Sequence, residues 1–218
     1  GQRLRFHLTD QSRITTMMLS IHSMHENLML QGDERTRHTV ACTNVFVRGA
    51  SGWRMDVAPW VPDDFWREWR SHLKAHQPDA LTVAETWFDA SKYFLGDTFD
   101  STMNYIFRNA VLEYAAGGDA RKLYAQIELM REAYPPQAFF ALMNLLSSHD
   151  QARALHQFGW HAETQDPAVI AQAKQRLKLA VLFQMSFPGA PTVYYGDEVG
   201  LSGGDDPYNR MPYPWADQ

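Results

Sequence analysis

Short apolar segments that each run into an acidic residue constrain the fold of this chain more than any other feature. They lie at 52–58, 81–87, 145–150 and 192–198, and stretches with a helical pattern lie between them. Alternation of short strands with helices is typical of an α/β fold with a parallel sheet. Because parallel strands end at the same edge of a sheet, we expect the acidic residues to gather at that edge.

The first segment, 52–58, alternates a polar face with an apolar face that suits packing against helices. Arg54 and Asp56 share the polar face, and a guanidinium beside a carboxylate favours the ionised form of the acid. An ionised carboxylate at the C-terminal end of a barrel strand suits a nucleophile. An ordinary buried ion pair at a strand end explains the same residues, so the segment alone leaves both interpretations open.

The second segment ends in Glu85, and a helix is predicted between the two segments. The run Pro62-Asp63-Asp64 is typical of a helix start, since proline suits the first turn and acids suit the positive end of the helix dipole. Pro78 is expected to end this helix. Asp56 and Glu85 would therefore end consecutive strands of one βαβ unit.

These segments together resemble the alpha-amylase family of glycoside hydrolases (glycoside hydrolase family 13), in particular its neopullulanase and cyclomaltodextrinase-like branch. The family pattern Gly-x-Arg-x-Asp of the nucleophile strand is matched by Gly52, Arg54 and Asp56. The acid strand is matched by Glu85, and the stabiliser strand by His149-Asp150. The run Tyr-Tyr-Gly-Asp-Glu at 194–198 and the segment 205–212, which contains Arg210, also look like the family. The motifs follow the family order from Gly52 to Trp215.

The resemblance implies a partial (β/α)8 TIM barrel, roughly the second half with strands four to eight, without the C-terminal β-sandwich. A complete barrel needs ~250 residues, whereas this chain has 218, which suggests a truncated barrel. We assign residues 52–218 to it and leave residues 1–51 as an unassigned N-terminal segment. There, the spacing of Ile14, Met17, Ile21 and further apolar residues predicts a helix, and residues 40–47 allow a short strand.

The resemblance also implies an activity: retaining, double-displacement hydrolysis of α-glucans such as starch, maltooligosaccharides, cyclodextrin or pullulan. It makes Asp56 the nucleophile and Glu85, whose apolar surroundings would raise its pKa, the general acid/base. Asp150 would bind sugar hydroxyls in the transition state. The remaining candidate substrate contacts are Arg54, His149, Trp87, Trp60 and Arg210. For Trp60, packing against a loop is the commoner role.

Two alternatives to an enzyme remain. The first is a catalytically weak or inactive barrel fragment that only folds or binds glucan. The second is a structural protein like the amino-acid-transporter heavy chains that resemble this family. The presence of both carboxylates and the lack of a membrane anchor in the sequence disfavour the second alternative.

The charge and the residue composition limit the classes of partner that this chain is expected to bind. The net charge of −5, without a block of like charges, disfavours nucleic acid and anionic membranes. No apolar run approaches the ~18 residues of a transmembrane helix. Cys42 is the only cysteine, so no internal disulfide is available; this and the lack of a signal peptide slightly favour the cytoplasm.

No cofactor is predicted to be required. Calcium occurs in the family, but no calcium site is identifiable here, and the spacing of His22, His25 and Glu26 matches no zinc signature. We therefore predict no metal-ligating residues in this chain. Because a partial barrel leaves open sheet edges, either residues 1–51 or a second copy in a homodimer would cover them.

Overall fold

A computed structural model describes residues 51–215 and the backbone of residues 17–19. The described residues form two compact units, one from residues 17–19, 51–86 and 90–102 and the other from residues 87–89 and 103–215. Both units combine helices with parallel strands, which confirms the predicted α/β class. None of the helices in the described residues is long and apolar enough to cross a membrane.

The first unit contains a parallel sheet of four strands in sequential order. They are β1 (Met17–Leu19), β2 (Gly52–Met55), β3 (Leu81–Ala84) and β4 (Ser101–Thr102). The register pairs Met55 with Ala84, and the N–H of Glu85 donates to the carbonyl of Met55 at 2.9 Å. Asp56 and Glu85 therefore follow the ends of neighbouring strands, as the sequence predicted.

Helix α1 (Asp63–His76) connects β2 to β3 in the chain and buries one face. It begins directly after Pro62, has Asp63 and Asp64 in its first turn and ends two residues before Pro78, as predicted. The face that it buries consists of Phe65, Trp66, Trp69 and Leu73. The ring of Phe99 packs edge-on against Trp66 with centroids 5.0 Å apart, so aromatic packing fixes α1 against the segment that leads into β4.

A polar anchor, Asp100, links α1 to β3. Its carboxylate accepts hydrogen bonds from Arg70 at 2.7 Å, from Lys74 at 3.1 Å and from the backbone N–H of Thr82 at 3.0 Å. Partial burial by itself raises the pKa of Asp100, but the hydrogen bonds and charges of Arg70 and Lys74 outweigh it and lower the pKa. The anchor is therefore an ionised group at neutral pH.

The second unit is mostly helical and holds a two-stranded parallel sheet, β5 (Met143–Leu145) with β6 (Ala190–Thr192). Met103 adds a parallel bridge to Met143. The helices are α2 (Tyr105–Ala115), α3 (Ala120–Ala133), α4 (Pro136–Phe139), α5 (Ala154–Gln157) and α6 (Pro167–Ser186). The side chains of Asp119 and Asp166 cap α3 and α6 by accepting hydrogen bonds from backbone N–H groups of the first turns.

Buried amide side chains hold β5 in place. Asn144, on β5, accepts a hydrogen bond from the side chain of Asn104 at 2.9 Å. The side chain of Gln184, on α6, donates to the carbonyls of Asn144 at 3.0 Å and Thr192 at 2.8 Å. One helix side chain thus satisfies carbonyls on both strands, because buried backbone groups must find partners.

Two strands of the second unit end earlier than predicted. The apolar segments continue to His149-Asp150 and to Tyr195, whereas the strands end at Leu145 and Thr192. Beyond these points, arginines take the place of strand partners. Arg108 donates to the carbonyl of Leu146 at 3.0 Å and Arg153 to that of Tyr195 at 2.7 Å. The segments predicted at 145–150 and 192–198 therefore overlap β5 and β6 only at Leu145 and Thr192, because backbone pairing stops there.

The predicted N-terminal helix is wrong at Met17–Leu19, because these residues form β1 and pair in parallel with β2. Three consecutive apolar residues suit a short strand as well as a helix, and pairing with β2 decided between them. The other residues of the predicted helix and the predicted strand at 40–47 lie outside the described residues. The division of the chain into an N-terminal segment, residues 1–51, and a barrel domain, residues 52–218, stays a prediction.

Candidate active site

Three side chains of the first unit form a compact group, the carboxylate cluster of Arg54, Asp56 and Glu85. Nη1 of Arg54 lies 2.5 Å from Oδ1 of Asp56, and Nη2 lies 3.0 Å from Oε2 of Glu85. The side chains are 1%, 9% and 4% exposed. A guanidinium offers its donors in a planar fork, so one arginine holds the carboxylates of two strands in a fixed relation.

The turn after β2 adds a backbone donor to this cluster. Val57 has a φ of 39°, in the left-handed region, where a β-branched residue is strained. Its N–H donates to Oε2 of Glu85 at 2.7 Å. Strain of this kind is concentrated at functional sites, where the surrounding structure holds it in place. The turn thereby fixes the orientation of Glu85.

Glu85 is buried, as a dry site requires, and the charge of Arg54 and the N–H of Val57 also lie against its carboxylate. The rise in its pKa that the sequence suggested stays a prediction. The two carboxylates share one guanidinium, so the three side chains carry one net negative charge when both acids are ionised. A proton on either acid balances that charge within the cluster.

A second group, the His149–Asp150 cluster, lies in the second unit and includes Arg210. Nε2 of His149 lies 3.1 Å from Oδ2 of Asp150, and Nη2 of Arg210 lies 3.7 Å from Oδ1 of the same carboxylate. Nε of Arg210 also donates to the carbonyl of His149 at 3.0 Å. These groups offer both hydrogen-bond donors and acceptors, which is what recognition of sugar hydroxyls requires.

Sequence reasoning missed the residue that supports this cluster, Arg153. Its side chain is fully buried and donates from Nε to the carbonyl of Asn209 at 3.0 Å and from Nη1 to Asp197 at 3.0 Å. The side chain of Asn209 in turn donates to the carbonyl of His149 at 2.8 Å. In the sequence, the indication of this role was an arginine three residues after Asp150. Its hydrogen-bond partners, Asp197 and Asn209, lie 44 and 56 residues further along the chain, where residue spacing does not reveal them.

The partner of Arg153 is itself a largely buried acid, with 15% of the Asp197 side chain exposed. Burial raises the pKa of Asp197, and hydrogen bonds from Ser147 and Arg153 offset only part of this effect. The guanidinium of Arg153 also lies 4.4 Å from the ring centroid of Tyr194 and 4.8 Å from that of Tyr195. The Tyr-Tyr-Gly-Asp run thus surrounds one arginine, which explains why these residue types follow β6.

The two candidate tryptophans differ in their surroundings. Trp60 follows the carboxylate cluster on a 3₁₀ turn and is 64% exposed, and its role stays a prediction. Trp87 belongs to the second unit, is 47% exposed and stacks on Tyr105 with ring centroids 5.0 Å apart. The hydroxyl of Tyr105 lies 2.9 Å from Oγ of Ser148, next to the His149–Asp150 cluster.

In residues 51–215, no three or more histidine, cysteine, aspartate or glutamate side chains are placed to hold a metal ion. The segment with His22, His25 and Glu26 lies outside the described residues. The dependence on calcium that the resemblance raised stays untested.

The fold and the site define an α/β protein with carboxylates at the ends of neighbouring parallel strands. Residues 19–217 match the model of the alpha-amylase catalytic domain. The chain therefore belongs to the alpha-amylase family. The match begins upstream of Gly52, where the recognisable motifs start, so the family resemblance extends further into the N-terminal segment than the motifs indicated.

Relatives include an amylopullulanase from Thermoanaerobacter thermohydrosulfuricus, 44% identical over 77% of this chain and 12% of its own length. Neopullulanase 2 from Thermoactinomyces vulgaris is 43% identical over 78% of this chain and 28% of its own length. A solved structure of cyclic alpha-maltosyl-(1→6)-maltose hydrolase from Arthrobacter globiformis matches with a TM-score of 0.73 and 33% identity. That match covers 86% of this chain and 40% of the other. The chain thus spans less than half the length of each of these proteins.

Proposed function

We propose that this chain is a glycoside hydrolase that acts on α-glucans with retention of configuration. One observation carries the proposal: a single buried guanidinium, that of Arg54, contacts both Asp56 and Glu85 at the ends of neighbouring strands. Retaining enzymes need two carboxyl groups ~5–5.5 Å apart. Contact with one planar group keeps the two acids close together, which supports the shorter separation over the inverting one.

In the proposed reaction, a carboxylate oxygen of Asp56 attacks the anomeric carbon while Glu85 donates a proton to the departing glycosidic oxygen. The carbon–oxygen bond to the leaving group breaks, and a covalent glycosyl–Asp56 intermediate forms. Glu85, now ionised, takes a proton from water, whose oxygen attacks the anomeric carbon and releases Asp56. The charge of Arg54 and the hydrogen bond from the N–H of Val57 to Glu85 then stabilise the ionised state that the second step requires.

The His149–Asp150 cluster is assigned to the sugar hydroxyls. Asp150 accepts from hydroxyl groups and stabilises the positive charge that develops on the sugar ring, while His149 and Arg210 donate. The exposed rings of Trp60 and Trp87 offer faces for stacking on sugar rings. The names of the two relatives, amylopullulanase and neopullulanase, support an α-glucan substrate.

We propose that residues 52–218 belong to a partial (β/α)8 barrel, roughly its second half with strands four to eight, and that β1 precedes the nucleophile strand. The sequential parallel order of β1 to β4 supports a barrel. We expect the reaction to need no cofactor, nucleic acid or membrane, and either residues 1–51 or a second copy of the chain would cover open sheet edges.

Release of reducing ends from soluble starch tests the proposed activity. Asp56→Asn and Glu85→Gln should each remove most of the turnover and leave the melting temperature nearly unchanged, because both replacements preserve shape. Asp97→Asn is the matched control, since Asp97 pairs with Arg67 at a partly exposed position outside the cluster. Turnover in either cluster variant like that of the unmodified chain would show that the activity lies elsewhere. A wild-type chain that binds maltoheptaose without turnover would favour the inactive-fragment alternative.

A further inference from the structure

One buried side chain, that of Asn209, contacts the short turn that carries Asp150. Ser148 and Gln151 form an isolated antiparallel bridge, so residues 148–151 make a tight turn, which we call the Asp150 turn. Asn209 comes from a distant part of the sequence, on the 3₁₀ turn Tyr208–Arg210, and is fully buried. The chemistry proposed above gives Asn209 no role.

The amide nitrogen of Asn209 donates two hydrogen bonds to the Asp150 turn. Nδ2 lies 2.8 Å from the carbonyl oxygen of His149 and 3.1 Å from that of Gln151. The N–H of Asp150 donates to Oγ of Ser148 at 3.2 Å. The peptide group between His149 and Asp150 is therefore held at both its carbonyl and its N–H. Because a peptide group is planar, these contacts restrict the direction in which the Asp150 side chain leaves the backbone.

The oxygen of the same amide shows that the two donors are what the position uses. Within the described part of the chain, Oδ1 of Asn209 is buried without a hydrogen-bond partner. The opposite orientation of the amide would place this oxygen against two carbonyl oxygens, so the hydrogen-bond pattern fixes the orientation. A buried acceptor without a partner lowers stability, and an apolar side chain of similar shape would avoid that loss. Packing alone therefore does not explain an asparagine here.

The segment that carries Asn209 is itself attached to the residues after the Asp150 turn. Nε of Arg153 donates to the carbonyl of Asn209 at 3.0 Å, and the N–H of Arg153 donates to the carbonyl of Gly203 at 2.9 Å. We propose that Asn209 is a positioning residue, which holds the carboxylate of Asp150 in the place where it meets the sugar hydroxyls. The benefit to turnover rests on the proposed function, whereas the hold on the turn does not.

Initial rates of Asn209→Leu on soluble starch test the proposal, because leucine has a similar shape and no donor. We expect kcat to fall about tenfold to a hundredfold, since a small displacement of a group at the reacting sugar is costly. KM should change less than about threefold, because the loss falls on the transition state. Circular dichroism checks the fold. Asn209→Ser, which needs less space and keeps one donor, replaces the leucine variant if that variant does not fold.

Gln184→Met is the matched control. Gln184 is also buried, and its amide nitrogen also donates to two backbone carbonyls, those of Asn144 and Thr192, which lie outside the Asp150 turn. Both variants should lose stability, but only Asn209→Leu should lose turnover. An equal fall of kcat in the two variants would mean a general structural effect and would overturn the proposal.

A double variant shows whether Asn209 acts through Asp150. Asp150→Asn alone should remove most of the turnover. Adding Asn209→Leu should change the residual rate less than about threefold, because the group that Asn209 positions is already impaired. Losses that simply multiply would overturn the proposal.

Hydrogen–deuterium exchange of the ligand-free chain gives a measurement that needs no activity. The N–H of Asp150 should exchange at least about tenfold faster in Asn209→Leu than in the unmodified chain, because the turn opens more often. An unchanged exchange rate would refute the positioning role alone, even if the unmodified chain hydrolyses starch. A chain without turnover whose Asp150 turn exchanges faster in Asn209→Leu would refute the proposed function and retain Asn209 as the residue that holds the turn.

Discussion

Nη2 of Arg54 lies 3.0 Å from Oε2 of Glu85, a residue 31 positions further along the chain at the end of the neighbouring strand. The same guanidinium contacts Asp56. The spatial relation of the proposed nucleophile and acid/base therefore depends on one side chain with two separate donor nitrogens.

We predict that Arg54→Lys lowers kcat/KM on starch about a hundredfold or more, because a single ammonium cannot hold two carboxylates in the planar geometry of a guanidinium. Initial rates over a range of starch concentrations measure the effect. Arg67→Lys is the matched control, since Arg67 pairs with Asp97 and is 51% exposed. Equal kinetics in the Arg54 and Arg67 variants would show that the shared guanidinium is not needed for turnover.

The buried pair of Arg153 and Asp197 gives a second prediction. Arg153→Met should lower the free energy of unfolding by about 3–5 kcal/mol, because it leaves a buried carboxylate without its cation. Urea unfolding measures this change. The double variant with Asp197→Asn should lose less than the sum of the single variants, with a coupling of about 0.5–3 kcal/mol. Strict additivity would mean that the pair does not act as a unit.

The polar anchor Asp100 makes stability depend on pH. Its pKa is lower in the folded chain than the ~3.9 of an unfolded aspartate, so the folded state binds fewer protons. The contribution of Asp100 is therefore complete above about pH 5 and is lost as pH falls through the lower, folded pKa. We predict that Asp100→Asn costs about 1–3 kcal/mol at pH 7 and that the difference from wild type shrinks towards pH 3.

Urea unfolding at several pH values checks this prediction. The control is Glu113→Gln, since Glu113 pairs with Lys122 at the surface, where ion pairs contribute about 0–1 kcal/mol. A cost for Asp100→Asn that is the same at pH 3 and pH 7 would contradict the ionised anchor.

The turn between α6 and β6 requires glycine at position 189. Gly189 has a φ of +127°, and an added Cβ would lie 2.5 Å from Nδ2 of Asn144 and 2.7 Å from the carbonyl oxygen of Leu142. Gly189→Ala should therefore cost about 2–4 kcal/mol, from backbone strain together with overpacking. Gly96→Ala separates the two causes, because Gly96 has a φ of +94° with open space around it and should cost only about 1–2 kcal/mol. If thermal unfolding showed the same loss of stability in Gly96→Ala and in Gly189→Ala, the steric explanation would be wrong.

The sequence by itself determined the features that depend on local pattern. Alternating apolar segments and helical stretches predicted the α/β class, and the start of α1 at Asp63 followed from Pro62 and the acids after it. The positions of Asp56 and Glu85 after consecutive strands were also predicted, because strand, helix and strand follow one another within about 35 residues.

Only the tertiary structure decided which groups surround the acids and where the strands stop. The N–H of Val57 reaches Glu85 because Val57 adopts a left-handed conformation that no residue pattern predicts for valine. Arg153 reaches Asn209 across 56 residues, and β1 formed because Met17–Leu19 found a neighbour in β2. In each case, a backbone or buried polar group takes its hydrogen-bond partner from a distant part of the chain. Sequence spacing does not encode that choice, since it depends on which segments the folded core brings together.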